Sequence, residues 1–238
     1  MKIKDFAFAG IMLLLFLPFV LSESLLSFYK EANQTHGMIL SFLKFAILAT
    51  SGEALGLRIK TGKYNYKGFG LLPRAIIWGF LGLTIKLAFI IFTKGTIGFL
   101  VYMGLTSAPE AFTGIFSAEK LVVAFSISTC MNLIYAPVMM TLHKITDTHI
   151  LKQKGQLSGL VRPIPFGRIM AGIDWNIQWD FVFKKTIPFF WIPAHTITFL
   201  LPEEYQVLFA ALLGIALGVI MALASIMAQK KLNPLTSS

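Results

Sequence analysis

Charge is the first scarcity. Only 13% of the 238 residues are Asp, Glu, Lys or Arg, about half of the roughly 25% usual for a soluble domain. Acids are scarcer still, 11 against 21 Lys and Arg, which gives a net charge of +10 and a pI near 9.7. Cysteine is almost absent. Cys130 stands alone, so an internal disulfide and a cysteine-built metal cluster are excluded, and the residue reads as a small buried apolar group. A soluble nucleic-acid-binding module would gather its basic residues on one face. Here they sit between apolar runs and no recognition motif accompanies them, so no nucleic-acid partner is expected.

What is present is apolar sequence: 56% hydrophobic residues and a mean hydropathy of +0.73. Several long runs place the chain in the membrane class as a single integral membrane domain over residues 1–238, with the bilayer as its first partner. The clearest stretch is Thr186 to Ala228, two apolar runs meeting at the acidic turn Pro202-Glu203-Glu204. The first run is short and rich in proline and aromatics. The second, about 22 residues without charge, is long enough to cross about 30 Å of hydrocarbon at about 1.5 Å per residue. It carries Ala210, Gly214, Gly218 and Ala222 at four-residue steps. Such a stripe of small residues lets a second helix approach closely in lipid, either within the chain or in a homo-oligomer.

Earlier runs complete the pattern. Met1 to Ser22 begins with lysines and turns apolar from Phe6 to Leu21; it lacks a small-x-small cleavage site and reads as a retained first span. Ser22 to His36 is a short polar connection holding an Asn33-Gln34-Thr35 sequon. Gly37 to about Thr50 is the second span, with helix allowed to Ile59. Arg58 to Arg74 is a basic loop broken by Gly62, Gly68, Gly70 and Pro73. Ala75 to Phe92 is the third span, and Gly95 to Leu105 is too short to cross, which suits a re-entrant or interfacial piece. Leu121 to Met140 is the fourth, carrying Ala124, Ser128, Asn132 and Ala136 on one face, with Pro137 placed to kink or end it. Thr141 to Lys185 is polar and basic, closing on Trp175 and Trp179 at helical spacing for a surface helix. The hairpin adds two spans, and the tail Gln229 to Ser238 is basic.

The connections alternate between basic and neutral or acidic. Six spans with both termini cytoplasmic satisfy the positive-inside rule throughout. The expected fold is therefore an all-α, polytopic membrane bundle of about six spans; four spans plus shorter membrane segments is the alternative. A start without transit-peptide character favours a bacterial cytoplasmic membrane.

Residues Asp180 to Leu201 resemble the family of the peroxisomal membrane protein of twenty-two kilodaltons and its mitochondrial inner-membrane relative Mpv. The likeness rests on Asp180, then Trp191-Ile192-Pro193-Ala194, Thr198-Phe199 and Pro202, with Gly52-Glu53 upstream. Ile192 separates a Trp-Pro pair that the family keeps adjacent, and the gap from Pro193 to Phe199 looks one residue short. Thr198 stands where Asn is usual, His195 lies close to the family's usual glutamine, and Gln206 replaces an arginine. The last span lacks the family's tryptophan, and the glutamine that follows the family's Gly-Asp is missing after Gly52-Glu53. The resemblance covers about the last quarter of the chain. It implies a small multi-pass protein thought to act as a channel, usually drawn with about four spans, with no established enzymatic activity.

Function is sought where ionisable groups sit at membrane depth, because each costs about 2.5–3.5 kcal/mol to insert. Lys44, Lys86 and His195 qualify, with Glu53 nearer an interface. They either line a path for a small polar or anionic solute or pair structurally, His195 with Thr198 or Asn132. Asn132, Trp191 and Pro193 join them as pore or substrate candidates, since Pro188 and Pro193 each remove a helical hydrogen bond. His143, Asp147 and His149 form a local cluster without a further ligand, so no metal and no cofactor are expected. No nucleophile elbow and no phosphate-binding glycine loop occur. A channel or transporter is the first reading. A membrane enzyme acting on lipid headgroups through His143, Asp147 and His149 is the second, and an assembly subunit using the small-residue stripe is the third.

Overall fold

In a computed structural model, residues 3–232 are described, all of the regular structure among them helical. The basic tail beyond Leu232 lies outside the described residues. The chain divides into two compact units, Met1–Leu40 and Ser41–Ser238. In the first, α1 (Ile3–Leu21) is followed by α2 (Glu23–Thr35). The expected polar connection from Ser22 to His36 is therefore a helix. Ser22 supplies its N-cap by accepting from Leu25 N, which satisfies one of the orphan donors of a first turn. The sequon lies inside this helix, where Asn33 donates to Tyr29 O and Thr35 to Glu31 O.

The second unit is built on α3 (Gly37–Thr61), α4 (Leu71–Tyr102), α6 (Ala118–Lys152) and α10 (Glu203–Leu232). Short pieces connect them: α5 (Ala108–Thr113), a 3₁₀ turn (Leu157–Val161), α7 (Phe166–Ala171) and α8 (Trp175–Ile177). Then comes a π-helix, Gln178–Trp191, running into α9 (Ile192–Leu200). Five helices, α1, α3, α4, α6 and α10 over Glu203–Ile220, are long and apolar enough to cross a membrane.

Several expected boundaries are corrected. The third span and the separate Gly95–Leu105 piece, as far as Tyr102, form one helix, α4. Thr93, Lys94 and Gly95 look like a break, but none is a proline, and Thr96 is buried on the helix's packed face. The fourth span does not stop near Pro137. That ring removes one backbone bond, yet α6 is packed on both sides of it, through Asn132 and Ala136 before and Ile145 and His149 after. Packing of a buried face outweighs a local helix-breaking cost of about 3 kcal/mol. The segment around Trp175 and Trp179 is helical with both indoles exposed, as the three-residue α8 running straight into a π-helix that contains Trp179. The fifth span is not a single α-helix. Its first part is wound with each N–H reaching five residues back, as Ile192 N does to Ile187 O. This winding ends at Pro193, which has no N–H to return to Pro188.

Glycine sets the helix spacing. A Cβ on Gly52 would lie 2.8 Å from Ile215 Cα, and one on Gly218 would lie 2.7 Å from Gly52 O. The small-residue stripe of α10 thus packs on α3 of the same chain. Gly52-Glu53-Ala54-Leu55-Gly56 supplies a matching GxxxG that the sequence reading passed over. Ala210 and Ala222 are buried on the same helix, while a Cβ on Gly214 would lie 3.6 Å from Ala49 Cβ, an ordinary contact distance. On α4, Gly82 has the Ser41 carbonyl 2.7 Å from its Cβ position, so α3 and α4 also touch at backbone distance.

Candidate functional site

Polar side chains in the second unit gather at three levels. The first level lies at the end carrying the basic loops. Glu53 of α3, Arg74 and Trp78 of α4, and His143 and Asp147 of α6 meet there. Glu53 Oε1 accepts from Trp78 Nε1 at 2.8 Å and lies 2.9 Å from His143 Nε2. Glu53 Oε2 pairs with Arg74 Nη1, which also pairs with Asp147. Arg74 Nε donates to Phe69 O at 2.9 Å, and its guanidinium stands 4.3 Å from the Phe69 ring centroid. The Trp78 and His143 rings lie 4.4 Å apart.

Helical spacing explains the gathering. Arg74 and Trp78 are four apart on α4, His143 and Asp147 four apart on α6, so each pair shares a face. The loop above is held by two left-handed glycines, Gly70 and Gly155, with φ of 74° and 66°. A Cβ on Gly70 would lie 2.7 Å from Gly155 Cα; neither position tolerates a side chain. This closes Phe69 over Arg74, whose side chain is only 6% exposed. Burial of charge is tolerable because every charged partner is paired. Glu53, half-buried, is part of this network at the basic-loop end. His149 does not join it: its Nε2 lies 3.0 Å from Gly159 O. The His143–Asp147–His149 grouping proposed for lipid chemistry is therefore split between two environments.

The second level lies between α6 and α9. The buried Asn132 side chain contacts His195 Nδ1 at 3.0 Å through its amide nitrogen and 3.1 Å through its oxygen, the bonded pairing being set by the histidine tautomer. Asn132 Nδ2 also donates to Ser128 O at 2.8 Å, and Ser128 Oγ donates to Ile192 O at 2.7 Å. Trp191 stacks on His195 at 5.2 Å and 24°, and Phe89 meets the same ring edge-on. Asn132, Trp191 and His195 are thus brought together, while Pro193 turns outward and is exposed. This level is densely packed by aromatics and ties the irregular fifth segment to α6.

The third level is open. Lys86 of α4 donates to Glu203 Oε1 at 3.1 Å. The pair lies in a cleft between α4, α5 and α10 with about 450 Å³ of empty space, lined also by Phe89, Thr93, Lys94, Phe112 and Gln206. Lys44, buried on α3, is within electrostatic reach of Lys86. Glu203 opens α10, where a carboxylate also suits the positive end of the helix dipole. Lys94 was not singled out in the sequence. Its spacing of eight residues from Lys86, about 12 Å along a helix axis, was the available signal, hidden by the assumed break at Thr93.

No protein-family model, curated protein or solved structure matches the chain. Class therefore rests on the physics of the helices. Five of them have the length and apolarity to cross a bilayer, and they fit a helical, multi-pass membrane protein.

Proposed function

We propose that the protein is a channel or transporter admitting small polar or anionic solutes, with the cleft at Lys86 as its mouth. The likeness to the Mpv family, proposed on sequence alone, points the same way. The observation that carries the reading is Lys86 itself: an ionisable side chain, 15% exposed, midway along a long apolar helix and set in an open cleft. Such a residue is expensive at membrane depth and is kept where it faces a polar path. Asn132 and His195 continue the polar groups inward, and the Glu53–Arg74–Asp147 network bars the far end, so the arrangement reads as a path shut on the side of the basic loops. Those loops mark the cytoplasmic face under the positive-inside rule.

The test is solute flux through the purified protein in liposomes, wild type against Lys86→Met. Flux that is lost, or that changes its anion preference, is the expected result. A Lys86→Met protein that assembles normally and conducts as wild type removes Lys86 from the path; a folded wild type that passes no small ion or metabolite removes the transport reading.

A further inference from the structure

We propose that the cleft between α4 and α10 binds a monoanion on an apolar body, with the negative group held between Lys86 and Lys94. This names the ligand class of the mouth on which the transport reading rests. Charge counting comes first. The cleft holds two lysines and one carboxylate, Glu203, which leaves one positive charge uncompensated. Lys94 is exposed and has no ion pair among the described residues. Among the described residues Lys86 pairs with Glu203 alone, whose own side chain is 79% exposed. A pair with one partner so open to solvent is weak, and an incoming anion competes for the lysine on favourable terms.

The wall sets the rest of the ligand. Half-buried Phe112 gives an aromatic wall beside Ile90, with Phe89 almost fully buried behind, and Thr93 adds a hydroxyl to the lining. Gln206 commits its Nε2 to Leu201 O at 3.0 Å. An apolar body therefore meets aromatic surface while its charge meets the lysines, the usual division of labour in a ligand site. Glu203 selects against a second negative charge, which would lie beside it with no further cation lining the cleft. A soluble carboxylate and the phosphodiester headgroup of a lipid both satisfy this chemistry, each with one negative charge on an apolar body.

The experiment uses the full chain in uncharged detergent, with benzoate as soluble probe and phthalate as its dianionic counterpart, read by calorimetry. A second arm places the chain in nanodiscs of neutral lipid doped with phosphatidylglycerol and reads retained lipid by native mass spectrometry. Benzoate is expected to bind more tightly than phthalate. Lys94→Gln, at an exposed position, should weaken binding about tenfold, the scale of one charge-assisted contact. Glu203→Gln should narrow the preference for the monoanion. Benzoate binding that depends on Lys94 assigns a soluble ligand; phosphatidylglycerol retention that depends on Lys94, without benzoate binding, assigns a lipid. If neither probe binds in a Lys94-dependent way to monodisperse protein, the proposal is overturned. Because no arm measures flux, Lys94-dependent binding in a protein that conducts nothing would remove the transport reading alone.

Discussion

The two ends of the second unit use the same residue types to opposite effect. At the basic-loop end, an arginine lies between two carboxylates, with a histidine and an indole completing Glu53 and a loop carbonyl completing Arg74. At the cleft end, Lys86 pairs with one exposed carboxylate and Lys94 holds no ion pair among the described residues. The first arrangement is internally paired and largely enclosed, so its charges act on the protein itself. The second is unsaturated and open, so its charges act on whatever arrives. The difference teaches that an ionisable residue in an apolar helix is not by itself a path residue; the number of partners it already holds decides its role.

That contrast can be broken by experiment. The largest effect is expected from Arg74→Met, which leaves the half-buried Glu53 and Asp147 around an apolar side chain. Loss of one partner from a buried charge network costs about 3–5 kcal/mol, so thermal unfolding in detergent should fall steeply or the protein should fail to assemble. A variant that melts like wild type would show that the network does not hold α3, α4 and α6 together. Next come the glycines. Gly52→Ala and Gly218→Ala drive a Cβ into facing backbone and should each destabilise by about 1–3 kcal/mol, whereas Gly214→Ala, whose Cβ would meet Ala49 at ordinary contact distance, should stay within about 0.5 kcal/mol of wild type. Equal melting of all three would refute the close approach of α3 and α10.

Between the two ends, Asn132→Leu strands His195 and frees Ser128 of one partner; a cost of about 1–3 kcal/mol is expected from the buried unpaired group, visible as a lower melting temperature with the helical signal unchanged. The smallest effect on stability belongs to Lys86→Met, about 0–1 kcal/mol for an ion pair with one exposed partner. On the proposed transport reading its signature is in solute flux instead. If Lys86→Met unfolds the protein as Arg74→Met is expected to, the two ends are alike and the contrast fails.

Much of the architecture was legible because apolar length and loop charge are local properties. The α1, α3, α6 and α10 runs stand out for that reason, and the small-residue stripe marks a packing face. What stayed hidden was long-range. Glu53 meets Arg74 and His143 across 21 and 90 residues, and nothing near Glu53 announces those partners. Arg74 was assigned to a loop because glycines and Pro73 precede it, yet a proline in the first turn is compatible with helix. Lys94 was missed by the same kind of error, a polar triplet taken for a break. The pairing of Gly52 and Gly56 with Gly214 and Gly218 was legible in principle, since both helices carry the same motif. The winding of the fifth segment was not: prolines signal that an α-helix is interrupted, not what replaces it.

The π-helix of Gln178–Trp191 has a mechanical consequence. Winding of this kind is rare and is mostly confined to single turns, yet here it continues through fourteen residues. A strut coiled five residues back per bond is shorter and stouter than the same residues coiled four back. It is therefore a reserve of length. Rewinding one turn to the tighter coil would lengthen the strut and swing the side chains beyond it around the axis. Trp191 and His195 sit at the far end of that strut, clasped by Asn132. Any axial slack taken up near Gln178 would arrive at those aromatic rings as rotation.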